Sequence, residues 1–204
     1  MLESGTKIDW GSILLVSKVS AQFGHVKFFL GLHGQVVKVG LNLDVFVVNS
    51  ILRGYCVFGF VHFAHTQFDV STHKDLVAWT VLINGYVRNG HPRLAIDLFF
   101  EMWEKERRVD EFLGVALFNS CAQLEDLSSG RRLEDLVRES GIEFDSYMNN
   151  ALIDMYCKCG SIVDAQRHFD DLVGKDVVAW NSMITGYGRV GNMEAAKALF
   201  RQMP

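Results

Sequence analysis

The stretch KDLVAWT at Lys74 to Thr80 returns almost unchanged as KDVVAWN at Lys175 to Asn181. The two copies lie 101 residues apart, and the same distance separates Asp9 from Asp110. A period of this length is too long for one supersecondary element, so shorter repeats are expected inside it. The repeated stretch therefore predicts a protein built from repeated structural elements.

Aspartates divide the chain into these shorter repeats, because they recur at intervals of 35 or 31 residues. The dividers are Asp9, Asp44, Asp75, Asp110, Asp145 and Asp176. The predicted repeats are 10–44, 45–75, 76–110, 111–145 and 146–176, with 1–9 as the tail of an earlier repeat and 177–204 as an incomplete one. An aspartate at such a boundary is expected to cap a helix by accepting hydrogen bonds from its first free amides.

The pattern inside each repeat predicts two helices. Counting from the residue after each divider, place fifteen is Gly24, Gly59, Gly90, Gly160 and Gly191 in five of the six repeats. Glycine suits the left-handed residue at which one helix ends. Place twenty is Ala64, Ala95, Ala165 and Ala196, and place twenty-four is Phe68, Phe99, Phe169 and Phe200. A small and a large residue four apart share one helix face and favour close packing. We therefore predict an all-α fold, an α-solenoid whose repeats are an A helix, a turn and a B helix.

Composition and motifs exclude several classes of protein. The formal charge of −4 predicts that any nucleic-acid site is a local basic stripe on an acidic body. No apolar run is long enough to cross a membrane, and no targeting peptide is visible. The thiols of Cys157 and Cys159 and the imidazoles of His62 and His65 lack further ligands nearby, so no metal site is predicted. No catalytic constellation appears, and the chain is predicted to be neither an enzyme nor dependent on a cofactor.

Four stretches carry a resemblance to a known family. They are WTVLINGYVRNGHPRLAIDLFFEM at Trp79 to Met102, FLGVALFNSCAQLEDLSSG at Phe112 to Gly130, NALIDMYCKCGSIVDAQRHFDDL at Asn150 to Leu172, and WNSMITGYGRVGNMEAAKALFRQMP at Trp180 to Pro204. The Trp-x-x-Leu-Gly pattern of tetratricopeptide repeats is absent. The chain resembles the pentatricopeptide repeat family, specifically the plant subfamily in which 35-residue P, 35-residue L and 31-residue S motifs alternate.

The resemblance implies a type for each repeat and an architecture for the array. Residues 1–9 would be the tail of a P repeat, 10–44 and 111–145 L repeats, 45–75 and 146–176 S repeats, 76–110 a P repeat, and 177–204 an incomplete S-type repeat. His33 falls on the histidine of the L motif, whereas the second L repeat has Glu134 there. The implied architecture is a right-handed superhelix of stacked antiparallel helix pairs.

The resemblance also implies single-stranded RNA as the partner, read at one base per repeat. In the family, place five of the A helix bonds the base edge and the last residue of the repeat supports it. The implied pairs are Asn49 with Asp75, Thr80 with Asp110, and Asn150 with Asp176, and Asn181 would read a base with its partner beyond Pro204. The implied RNA is 5′-U-G-N-U-pyrimidine, where N stands opposite Val115, which cannot bond a base edge.

Two further sets of residues complete the predicted site. Place two, which would sandwich the bases, is Phe46, Val77, Phe112, Tyr147 and Val178. Place thirteen, which would meet phosphates, is Arg88, Lys158 and Arg189 in three of the repeats. The simpler interpretations stay open: the aspartates cap helices only, the asparagines are surface amides, the valines pack between repeats, and the cations complement helix dipoles.

The function that the resemblance implies is sequence-selective RNA binding within an organelle RNA-processing or C-to-U editing factor. The location would be a mitochondrion or chloroplast, with editing co-factors or a deaminase, missing or recruited, as further partners. No membrane and no small-molecule substrate is expected. The alternatives are an α-solenoid scaffold that binds proteins or peptides and an inactive fragment of a longer repeat protein.

Overall fold

A computed structural model describes residues 11, 13, 15–16, 19–20 and 23–204 of the chain. From Val26 onward these residues form eleven α-helices, one short 3-10 turn and no β-strand. The helices are α1 Val26–Lys38, α2 Val45–Val57, α3 Val61–Val70, α4 Leu76–Arg88, α5 Pro92–Glu106, α6 Glu111–Leu124, α7 Leu127–Glu139, α8 Ser146–Lys158, α9 Ile162–Asp171, α10 Val177–Arg189 and α11 Met193–Gln202, with the 3-10 turn at Leu41–Leu43. The predicted all-α class is confirmed. The repeat boundaries and types stay predictions, and the tail at 1–9 with Asp9 lies outside the described residues.

The chain divides into two compact units, Met1–Gly90 and His91–Pro204. In the first unit α2 packs against both α3 and α4. In the second unit α6 packs against α8, and α8 packs against α10. Within each unit the A helices therefore lie side by side, so that equivalent places on neighbouring A helices come close to one another.

The dividing aspartates cap the A helices, as the sequence predicts. Each side chain accepts a hydrogen bond from the backbone N–H three residues later, which would otherwise lack a partner at the helix start. The capping residues are Asp44, Asp75, Asp110, Asp145 and Asp176. The caps fix the first turn of every described A helix from α2 onward.

The turns between A and B helices require left-handed backbone. All five predicted glycines adopt a positive φ, from 70° at Gly24 to 79° at Gly191. In the repeat without a glycine at this place, Glu125 takes the same conformation with a φ of 52°. A residue with a Cβ costs roughly 1–2 kcal/mol in this region. The geometry of the turn is thus kept even where the sequence does not favour it.

Aromatic side chains join consecutive helices in the core. Phe68 packs edge-on against Trp79 at a centroid distance of 4.6 Å, and Phe169 packs against Trp180 at 5.0 Å. The alanines at place twenty are buried, as expected for close approach. Phe200 differs from the other place-twenty-four phenylalanines because its side chain is 68% exposed.

A recurring polar contact also links four of the five described B helices that precede an A helix to that helix. Its tyrosines all occupy place eleven of the A helix, and its partners come from the preceding repeat. The contacts are His33 Nδ1 to Tyr55 Oη at 2.7 Å, His65 Nδ1 to Tyr86 Oη at 2.5 Å, Tyr156 Oη to Glu134 Oε2 at 2.5 Å, and Tyr187 Oη to Gln166 Oε1 at 2.8 Å. These bonds satisfy the hydroxyls of partly buried tyrosines.

Candidate nucleic-acid interface

Two of the three predicted reading pairs are hydrogen-bonded in the structure. In the first unit, Asn49 on α2 donates its Nδ2 to both carboxylate oxygens of Asp75, at 3.1 and 3.2 Å. In the second unit, Asn150 on α8 donates its Nδ2 to Asp176 Oδ2 at 2.8 Å. Each aspartate also caps the following A helix, so one carboxylate fixes the helix start and holds the asparagine of the preceding A helix.

The amide oxygens of both asparagines are buried. Among the residues that the structure describes, none donates a hydrogen bond to Oδ1 of Asn49 or to Oδ1 of Asn150. A buried polar atom without a partner costs roughly 1–3 kcal/mol. A ligand that donates a hydrogen bond to this oxygen would remove that cost, and its binding free energy would be more favourable by a similar amount.

Hydrogen bonds stabilise the ionised form of Asp176 and lower its pKa. The backbone N–H of Ala179 is the main reason that the pKa of Asp176 lies below its usual value. Burial acts in the opposite direction, and the amide of Asn150 lowers the pKa further. The carboxylate is therefore ionised at neutral pH and acts only as an acceptor.

The third pair, Thr80 with Asp110, falls on the two different compact units, and each residue is described within its own. Thr80 lies on α4 and donates its hydroxyl to the carbonyl oxygen of Leu76 at 2.8 Å. Asp110 caps α6 by accepting from the backbone N–H of Leu113 at 2.7 Å. Asn181, at place five of α10, is exposed.

The five residues at place two are exposed although all are apolar or aromatic. Their exposed fractions are 69% for Phe46, 48% for Val77, 84% for Phe112, 78% for Tyr147 and 55% for Val178. Each lies on the first turn of an A helix, one turn before place five. Large apolar side chains are costly to leave in water, so their regular exposure in five repeats points to a ligand with apolar faces.

The three cations at place thirteen differ in their surroundings. Lys158 Nζ lies 2.7 Å from Asp154 Oδ2, one turn earlier on α8. Arg189 lies 2.6 Å from Glu125 Oε1. Arg88 is exposed and, among the residues that the structure describes, has no carboxylate within 4.0 Å. Two of the three predicted phosphate contacts are thus already neutralised by carboxylates of this chain.

A groove between α2 and α4 brings Arg88 together with Arg53, which the sequence interpretation missed. The groove has a volume of about 340 Å³, and its lining includes Arg53, Thr80, Asn84 and Arg88. Arg53 occupies place nine of α2. The signal for it was available, because places nine and thirteen are four residues apart and share one face of an A helix.

The described cysteine thiols are mostly buried and protonated. Burial raises the pKa of Cys56 to about 11 and that of Cys157 to about 12, so both remain protonated at neutral pH. Across the described part of the chain, no group of three or more His, Cys, Asp or Glu residues could hold a metal ion. Among the described helices, none is both long enough and apolar enough to span a bilayer.

The PPR repeat family matches this chain over residues 77–106, 150–177 and 178–204. A pentatricopeptide repeat-containing protein of Arabidopsis thaliana is 34% identical over 203 residues, which cover 100% of this chain and 25% of that protein. A second one from the same plant is 33% identical, with 100% and 30% covered. A third, named chloroplastic, is 32% identical, with 100% and 25% covered.

Solved structures show the same fold. The pentatricopeptide repeat protein PPR10 from maize matches with a TM-score of 0.77 at 20% identity, over 97% of this chain and 29% of its own. PPR10 in complex with an 18-nt psaJ RNA element matches with a TM-score of 0.80 at 18% identity, over 98% and 30%. The chain spans less than a third of the length of all these proteins.

Helix pairs of nearly constant length, with capped A helices side by side, define an α-helical repeat protein. The matches in family, sequence and fold make the class specific: the chain belongs to the pentatricopeptide repeat family. The fold of this family is that of a helical repeat array and not that of a catalytic domain.

Proposed function

We propose that this chain binds single-stranded RNA sequence-selectively, with one base for each repeat that carries a polar residue at place five. The observation that carries the proposal is the pair of equivalent contacts, Asn49 with Asp75 and Asn150 with Asp176. The same polar arrangement, 101 residues apart, recurs on the A helices beside exposed apolar side chains at place two. Exposed apolar side chains can stack on base faces while a fixed amide meets a base edge.

The asparagine geometry favours uracil over cytosine. The aspartates accept from the amide nitrogens of Asn49 and Asn150, whereas the buried amide oxygens have no hydrogen-bond partner among the described residues, so a donor on a bound base would satisfy them. Uracil carries an N–H donor at the centre of its base-pairing edge, whereas cytosine carries an acceptor at that atom. An oxygen that needs a donor therefore favours uracil over cytosine, in agreement with the predicted 5′-U-G-N-U-pyrimidine.

The subfamily and the pathway belong to the same proposal. We assign the alternating 35- and 31-residue repeats to the plant P, L and S subfamily and the protein to C-to-U RNA editing or related processing in a mitochondrion or chloroplast. The relatives are plant proteins, and one is named chloroplastic. The described residues contain no deaminase site, so a further domain or a recruited enzyme would supply the chemistry.

A substitution scan of the RNA tests the proposal. The 204-residue chain is titrated with a fluorescent U-G-A-U-C pentamer extended by short flanks, and with pentamers in which each base is changed in turn. We expect the weakest binding when either U is replaced by C, and little change when the central A is replaced. Equal affinity for all pentamers would contradict base reading, and no RNA binding would favour a scaffold for peptides or an inactive fragment.

A further inference from the structure

The groove between α2 and α4 has an internal counterpart in the second unit. Arg53 and Arg88 of the first groove correspond, 101 residues later, to Asp154 and Arg189 beside α8 and α10. Both regions are formed by places nine and thirteen of two neighbouring A helices, and each has a polar residue at place five of the second helix, Thr80 in one and Asn181 in the other. The charges at the equivalent places can therefore be compared.

The first groove has two cations without a carboxylate partner. Arg53 and Arg88 both line it, and both side chains are exposed. Of the residues that the structure describes, none places a carboxylate oxygen within 4.0 Å of either guanidinium. Two like charges on one groove repel each other, and an anion bound between them removes that repulsion.

The second setting is neutral. Asp154 stands where the first groove has Arg53, and its Oδ2 pairs with Lys158 Nζ at 2.7 Å. Arg189 stands where the first groove has Arg88, and it pairs with Glu125 at 2.6 Å. Both cations would have to leave an existing partner before they could meet a phosphate, so their contribution to anion binding is reduced.

We propose that the groove between α2 and α4 is the principal phosphate-binding site of this chain, and that Arg53 and Arg88 together hold a phosphodiester of single-stranded RNA there. The inference rests on the proposed RNA binding and names the residues that anchor the backbone. Thr80 lines the same groove, so the bound phosphate adjoins the base that Thr80 meets. Arginine suits this role because its planar fork bonds phosphate oxygens in pairs.

The salt dependence of RNA binding measures this site directly. On a single strand, each neutralised phosphate adds about 0.7 to the magnitude of the slope of log K against log salt. The affinity of the 204-residue chain for the U-G-A-U-C pentamer is measured between low and moderate salt for wild type, Arg53→Gln and Arg88→Gln. Because the two arginines share one phosphate, we expect each variant to reduce the magnitude of the slope by up to about 0.7, with the base preference at the two U positions unchanged.

Two further variants serve as controls. Lys27→Gln removes the same charge from the exposed face of α1, a B helix, and should leave the slope unchanged. Asp154→Asn releases Lys158 from its partner and should increase the magnitude of the slope. Because all four side chains are exposed or at the surface, thermal unfolding should show these variants folded as wild type is.

The outcomes separate this inference from the proposed function. Base-selective binding with the same slope in Arg53→Gln and wild type would overturn the phosphate site and leave RNA reading intact. Equal slope changes in Arg53→Gln and Lys27→Gln would also overturn it, because the salt dependence would then report any surface cation and not this groove. If inorganic phosphate alone raises the melting temperature through Arg53 and the RNA slope does not change, the groove is a free-phosphate site and the inference is wrong. Absence of RNA binding by wild type would overturn both proposals.

Discussion

At Asp176 a single carboxylate makes two different hydrogen bonds, and these can be separated by substitution. Oδ1 accepts from the backbone N–H of Ala179 and caps α10, while Oδ2 accepts from the amide of Asn150. Serine caps a helix about as well as aspartate does, but its single short hydroxyl cannot serve both donors. The two interpretations of the aspartates, capping alone or capping with base support, therefore give different expectations.

We predict that Asp176→Ala lowers the free energy of unfolding by about 1 kcal/mol, and that Asp176→Ser lowers it by less than half as much. Both variants should lose the preference for U at the base that Asn150 meets. Urea unfolding and RNA titration measure the two effects. Asp135→Ala, an exposed aspartate on α7, is the control and should change stability by less than about 0.5 kcal/mol. If Asp176→Ser keeps the preference for U, the aspartate is a cap only.

Glu134 shows how a departure from the family pattern is accommodated. Its side chain is 8% exposed, and it accepts from Tyr156 at 2.5 Å and from Arg138 while lying 3.2 Å from His168 Nε2. Burial is the largest single influence and raises the pKa, but the hydrogen bonds from His168, Tyr156 and Arg138 together outweigh it and lower the pKa to about 2. Glu134 stands at the place that His33 occupies in the repeat 10–44, and it bonds Tyr156 as His33 bonds the equivalent Tyr55.

The pKa of Glu134 sets a pH dependence of stability. A carboxyl whose pKa is depressed on folding contributes stability above its unfolded pKa, near 4.5, and loses it as the pH falls towards about 2. We predict that Glu134→Gln destabilises the protein at pH 7 by roughly 1–3 kcal/mol, and that its difference from wild type shrinks as the pH falls below about 4.5. Urea unfolding at pH 7 and pH 3 measures this. A difference that is the same at pH 7 and pH 3 would contradict the account, and Glu139→Gln, an exposed carboxylate on α7, is the matched control.

At the scale of the helix, glycines at place ten set how closely neighbouring A helices approach. A Cβ on Gly186 of α10 would lie 2.5 Å from the Sγ of Cys157 on α8, and a Cβ on Gly85 of α4 would likewise overlap Cys56 on α2. The same glycine and cysteine contact thus recurs in both compact units. Gly188, two residues further along α10, would meet nothing within 4 Å.

We predict opposite effects for these two glycines of α10. Gly186→Ala should destabilise the protein by about 1–3 kcal/mol, because a methyl group has no room between the helices. Gly188→Ala should be neutral or stabilise it by up to about 1 kcal/mol, because alanine favours the helix over glycine. Thermal or urea unfolding of the two variants tests this. Similar changes in both would show that packing between α8 and α10 does not depend on the missing side chain.

The elements were largely predictable from the sequence because their signals are local. The divider aspartates cap the A helices, and the five glycines at place fifteen all adopt the left-handed conformation. Glu125 was not predictable, because its turn is imposed by the helices on either side and not by its own preference. The partners of the cations were not predictable either, since Glu125 lies 64 residues from Arg189 in sequence. Such contacts depend on the packed arrangement of helices.

At the scale of the whole molecule, charge and length decide what kind of binding is expected. The formal charge of −4 gives no general attraction to RNA, so the proposed RNA binding would depend on local groups such as Arg53 and Arg88 and on the two pairs of asparagine and aspartate. The chain covers 25% and 30% of two of its relatives, so under the proposal its repeats would meet few bases. Weak binding with a clear base preference is therefore the expected behaviour, and the preference is the more informative quantity.

Thr80→Asn replaces the residue that the proposal assigns to G by the residue that it assigns to U. The affinities of wild type and Thr80→Asn are compared for U-G-A-U-C and for U-U-A-U-C, which differ only at the base assigned to Thr80. We expect wild type to prefer G. We expect Thr80→Asn, which has the same amino acid at this place as positions 49 and 150, to prefer U. Base preferences that are the same in both proteins would contradict reading by place five of the A helix.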